Sequence, residues 1–113
     1  MTDKARHRSG GSLIEVHRPA NPLFGLGAVY CVPAVAAFLA THGRTPAELL
    51  AHHAGGDWGT VSEADAAAND RALREGGMLR SCYLVEGKKV GLVTDSADRA
   101  GVRSATCILF MEK

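Results

Sequence analysis

Two places in the chain gather the residue types that carry out chemistry. The first is His52-His53-Ala54-Gly55-Gly56-Asp57-Trp58-Gly59, where two imidazoles, a carboxylate and the single tryptophan fall within one short run. Such a set could hold a metal or move a proton. The spacing argues against a metal. Adjacent helical side chains point about 100° apart, and the His-x3-His pattern that puts two imidazoles on one helix face is absent. The run reads better as the end of a helix followed by a turn. His53 in a last helical turn can meet free carbonyls. The glycines reverse the chain, and Asp57 can tie the turn. Trp58 can plug the base of a helical pair, given a partner for its N–H. A recognition role for this turn stays open.

The second place lies around residues 95–106, where Asp98, Arg99, Arg103 and Thr106 form the candidate binding set beside Asp95. Arginines next to a carboxylate and a hydroxyl suit a phosphate, or the charge that develops during phosphodiester cleavage. A metal-free nuclease also needs a general acid and base. All five histidines (His7, His17, His42, His52 and His53) lie in the first half of the chain. A salt-bridged, exposed loop is the plainer account. Asn69 is a third oddity, a polar amide within an apolar helical face beginning near Asp65. If buried it must be paired, because an unpaired amide costs about 1–3 kcal/mol. It reads as a bracket for the 55–58 turn or for sheet backbone, with a substrate ligand as the alternative. No nucleophile elbow, P-loop or dinucleotide fingerprint occurs.

These residues need elements to hold them. Pro33 suits a first helical turn, where its missing N–H would be unpaired anyway, and Gly43 suits the end of that helix. Thr45-Pro46-Ala47-Glu48 is a capping box, so a second helix runs from there to Gly55-Gly56. Ser62 can cap a third, which Gly76-Gly77 stop. Its inward face carries Ala66, Asn69, Ala72 and Leu73. A short strand is expected over 12–17 and a loop over 19–27. Residues 28–32 read as a short strand or an extended lead-in. Strands are expected over 78–85, 88–94 and 104–111, with Glu86-Gly87 as a two-residue hairpin turn. The expected class is α+β: two or three N-terminal helices packed on a three- to four-stranded antiparallel sheet.

A chain of 113 residues suffices for one domain. Residues 1–12 read as a disordered basic arm and 13–113 as a single α+β domain. Hydrophobic content of 46% argues against disorder, while 5% aromatics predict a thin core that a partner could complete. A net charge of +1 gives little support for nucleic acid. No apolar window is long enough to span a membrane, and no signal-peptide core follows the basic start, so the cytoplasm is expected. Cys31, Cys82 and Cys107 fit neither a zinc pattern nor a disulfide framework. No metal and no cofactor is expected.

Several motifs together resemble a family. His53-Ala54-Gly55-Gly56-Asp57-Trp58-Gly59 resembles the His-x-x-Gly-Asp-Trp-Gly motif of small, largely uncharacterised proteins encoded on bacterial plasmids and other mobile elements. In those proteins a helix follows with Asp, then Asn four residues on, then Ala-Leu. Asp65, Asn69, Ala72 and Leu73 match. Leu79, Ser81 and Tyr83 match a Leu-x-Ser-x-Tyr strand. Ala97-Asp98-Arg99 and Ser104-Ala105-Thr106 are similar to the family's Ala-Asp-Arg-Ser-Ala-Thr-Thr strand, around an inserted segment. The family's final Pro-Glu-Glu-Tyr is replaced by Phe110-Met111-Glu112-Lys113. The resemblance implies a cargo protein of mobile elements, of the kind that binds host defence machinery such as restriction or CRISPR complexes.

The expected function is therefore a small non-enzymatic protein–protein interaction protein of mobile genetic elements, with inhibition of a bacterial defence system as one such role. The alternative is a small metal-independent nuclease or toxin of barnase-like architecture. The basic arm acting on DNA, as in a transcriptional accessory protein, is a third option. The sheet surface separates the first two. A groove with converging Arg, Thr and an acid or base favours the nuclease, and a flat or convex face favours binding.

Overall fold

A computed structural model describes residues 11–111. Residues 1–10, which hold most of the expected basic arm, lie outside the described residues, as do 112 and 113. The elements run β1 (Ser12–Ile14), β2 (Ala28–Cys31), α1 (Pro33–Thr41), α2 (Pro46–Ala54), α3 (Glu63–Glu75), β3 (Leu79–Val85), β4 (Lys88–Thr94) and β5 (Ala105–Phe110). Ser12 thus opens a strand rather than closing the arm.

The helix signals are local and act as written. Pro33 starts α1, and Gly43, at φ 68°, ends it while the Arg44 N–H reaches the Leu39 carbonyl. The α2 capping box is complete: Thr45 Oγ1 accepts from the Glu48 N–H, and Glu48 Oε1 accepts from the Thr45 N–H, each at 3.3 Å. Ser62 Oγ caps α3 through the Asp65 N–H at 3.0 Å, and Gly76 closes that helix in the left-handed region. Glu86 and Gly87 both have positive φ, as a two-residue hairpin turn demands.

The sheet differs from expectation. It is a mixed sheet of five strands in the order β1-β2-β5-β4-β3, not an antiparallel one of three or four. β1 pairs antiparallel with β2, and β2 pairs parallel with β5, so that Ala28 meets Ala105 and Cys31 meets Ile108. Parallel neighbours need a long crossover. Here that crossover is the three helices plus the β3–β4 hairpin, so no short-range signal announces the pairing.

All three helices pack on one face of the sheet. Tyr83, Val85, Val90, Leu92, Ile108, Val29 and Cys31 alternate onto that face and share one core with Val35, Leu39, Leu49 and Leu50 of α1 and α2. A second cluster joins Trp58, Ala72 and Leu79 beneath α3.

Candidate functional site

The His53–Gly59 run sits where α2 ends against β3. His53 is fully buried. Its Nδ1 lies 2.5 Å from Ser81 Oγ and its Nε2 2.9 Å from Thr94 Oγ1. Thr94 Oγ1 is 2.7 Å from Thr106 Oγ1, which donates to the Leu26 carbonyl at 2.8 Å. The carbonyl can only accept, so it sets the direction of the whole chain. Thr106 spends its proton on Leu26, and Thr94 must donate to Thr106. His53 therefore carries its proton on Nε2, and Ser81 donates to the bare Nδ1. The ring meets Phe24 and Trp58 edge-on, with centroids 5.1 and 5.8 Å away. Burial lowers the imidazole pKa from 6.5 to about 4. With both nitrogens committed in a buried site, His53 ties α2 to β3, β4, β5 and the 19–27 loop.

The rest of the motif seals a sheet edge. β3 is an outer strand, and its Arg80 and Cys82 backbone groups face away from β4. The Cys82 N–H donates to the Trp58 carbonyl at 3.1 Å, and the Thr60 N–H donates to the Cys82 carbonyl at 2.7 Å. Asn69 takes both groups of Arg80: its Nδ2 donates to the carbonyl at 2.7 Å, and its Oδ1 accepts from the N–H at 3.0 Å. Two unrelated segments thus close four backbone groups that would otherwise invite another strand. Gly59 has φ 77°, and a Cβ there would strike the Cys82 carbonyl oxygen, so only glycine fits. Trp58 is buried and donates from Nε1 to Asp70 Oδ1 at 3.2 Å. Asp57 ties the turn: Oδ1 accepts from the Gly59 N–H at 3.1 Å, Oδ2 lies 3.1 Å from His52 Nδ1, and its carbonyl accepts from the Tyr83 hydroxyl. Asp65 stays exposed in the first turn of α3.

The four residues expected to share an exposed binding set do not do so. Thr106 is fully buried in the hydroxyl chain. Arg103 is 7% exposed and turned inward. It donates to the Gly77, Asp95 and Ala72 carbonyls at 2.6, 3.0 and 3.1 Å, and its guanidinium lies 5.8 Å from the Phe24 ring centre. It satisfies the open carbonyl end of α3 and pins the 95–103 loop. Burial pulls its pKa below the ordinary value. Asp98 is spent on its own loop, accepting from the Ala100 and Val102 N–H groups at 2.9 Å each. Arg99 is exposed. Asp98, Arg99 and Arg103 do border an open cleft of about 380 Å3 with Arg74 and Phe24. Among the described residues, no group of three or more His, Cys, Asp or Glu side chains is placed to hold a metal ion.

The opposite face of the sheet carries the feature that residue-by-residue reading misses. The strand register sets one row across it as Leu13, Tyr30, Cys107, Val93 and Arg80. The next row holds Leu109, Gly91 and Cys82. None of these side chains belongs to either core cluster. Among the described residues, the three helices pack on the other side of the sheet. On this side Met111 folds across Gly91, Cys82 and Cys107 are buried, and Tyr30, Val93 and Leu109 are half-buried. Leu13 and Leu84 are 56% and 58% exposed. A sheet with one face toward water ordinarily alternates apolar and polar residues. Here the second face is also largely apolar, with Arg80 of β3 and Lys89 of β4 as charged residues on it. The signal was present in the unbroken apolar run 107–111, which no alternation interrupts.

No protein-family model, curated protein or solved structure matches the chain.

Proposed function

We propose that this is a non-enzymatic protein–protein interaction protein whose contact surface is the helix-free face of its sheet. The observation that carries the reading is that face: a largely apolar surface across five strands, outside both helix-side core clusters. Monomeric proteins rarely leave contiguous apolar patches beyond about 300–600 Å2, and a five-stranded face is on that order. The buried polar groups point the same way. His53, Thr94, Thr106 and Asn69 are all spent on holding the fold, so the buried polar groups serve structure rather than a nuclease site.

The motif resemblance favours a mobile-element protein and, as partner, a component of a bacterial defence complex such as a restriction or CRISPR assembly. The cytoplasm suits Cys31, Cys82 and Cys107, which form no disulfide. The test is affinity capture from a bacterial lysate, run beside a cleavage assay on RNA and DNA. One protein should be retained by wild type and lost by Leu109→Lys, and should rebind when purified. Reproducible nucleic-acid cleavage by wild type, with capture unchanged by Leu109→Lys, would overturn the reading.

A further inference from the structure

We infer that, in the free protein, the helix-free sheet face is occupied by a second copy of the same chain, packed face to face about a two-fold axis along β5. This rests on the reading of that face as a contact surface, and it names the first occupant. β5 is the central strand of the five, so such an axis lays β2 of one copy over β4 of the other, and β1 over β3. The row Leu13, Tyr30, Cys107, Val93, Arg80 then meets itself reversed.

The pairing is complementary in size. Tyr30 falls over the smaller Val93, and Cys107 falls over Cys107. It is also complementary in charge. Ile14 and Val16 turn into the core, so Glu15, between them and exposed, lies on the same side as Leu13. Arg80 of one copy therefore passes its aliphatic stem over Leu13 and brings its guanidinium toward Glu15 of the other. An axis across the strands instead sets β3 against β3 and gathers both Arg80 side chains at one edge, where like charges oppose.

The face is of modest size. Strands of three to seven residues, about 4.8 Å apart, give a projected face of roughly 24 by 18 Å. That is below the ~800 Å2 of accessible surface per partner typical of stable interfaces, so the dimer belongs to the weak end of specific association. The Arg80 and Cys82 backbone groups of the β3 edge are already taken, which leaves the face rather than that stretch of edge for contact.

Sedimentation equilibrium on the full chain at micromolar to sub-millimolar concentration tests the inference. Wild type should be a dimer. Leu109→Lys sets two ammonium groups against each other near the axis and should raise the dissociation constant at least ~100-fold, with helix content and melting temperature retained. Leu13→Glu, at a more exposed site, should weaken the dimer too. Arg80→Glu should weaken it, and adding Glu15→Arg should restore it, which a merely structural role for either residue does not predict. A wild type that stays monomeric throughout overturns self-association, as does a dimer indifferent to Leu109→Lys. A fluorescent apolar probe, run on the same samples, separates the two readings. Probe bound by monomeric wild type and lost in Leu109→Lys leaves the face open for another protein. A monomer that binds no probe removes both.

Discussion

His53 is neutral in the fold, where burial disfavours its charged form. Its ordinary pKa of 6.5 is lowered to about 4 by burial. Between these values the unfolded chain binds a proton that the folded chain refuses. Stability is therefore full above pH ~6.5 and falls as pH drops toward ~4, by about 3 kcal/mol in total from this one group. Denaturant unfolding of wild type across that range should show the decline, and His53→Gln should flatten it. An equal slope in both proteins would place the acid sensitivity elsewhere. The two loop arginines divide sharply. Arg99 is exposed, and Arg99→Ala should change stability by less than about 0.5 kcal/mol. Arg103 holds three carbonyls, and Arg103→Ala should cost about 3 kcal/mol, because hydrogen bonds from a charged group are worth roughly 1.5–3 kcal/mol each and two of those carbonyls belong to the end of α3 and its turn. Paired thermal melts check both. From sequence alone the two residues look alike, since neither the α3 terminus nor Gly77 is near Arg103 in the chain.

At the scale of elements, what could be read early was what is decided locally. The Thr45–Glu48 box, the Pro33 start, the Ser62 cap and the Glu86-Gly87 turn each draw on neighbours a few residues away, and each forms where the spacing places it. The parallel contact of β2 with β5 draws on residues at opposite ends of the chain and left no local trace. Asn69 lies between these cases. Its type demanded a partner, but only the arrival of β3 beside α3 shows that the partner is the Arg80 backbone. Asn69→Ala should leave that N–H and carbonyl partly buried without their bonds, at a cost of about 2–3 kcal/mol. Hydrogen exchange should show the loss concentrated at Arg80 and its β3 neighbours. Uniform acceleration across the sheet would mean that Asn69 supports the whole fold rather than its edge.

The described residues form a two-layer structure, helices on sheet. Three helices cover one face, two segments pair with the Arg80–Cys82 stretch of the β3 edge, and the other face is largely apolar from β1 to β3, with Arg80 and Lys89 among its residues. The low aromatic content predicted a core that a partner could complete. It did not say where the gap would fall, because that depends on every helix choosing the same side. Leu13 and Leu84 stand at the two flanks of this face, each more than half exposed, so neither contributes much to folding. The most direct measurement is the affinity of the captured partner for wild type and for the Leu13→Glu/Leu84→Glu double variant, beside the melting temperature of each. The account predicts an affinity loss of about 2 kcal/mol or more, the range of interface hot spots, with the melting temperature unchanged or raised. Unchanged affinity in a fully folded double variant would contradict the claim that this face is the contact surface.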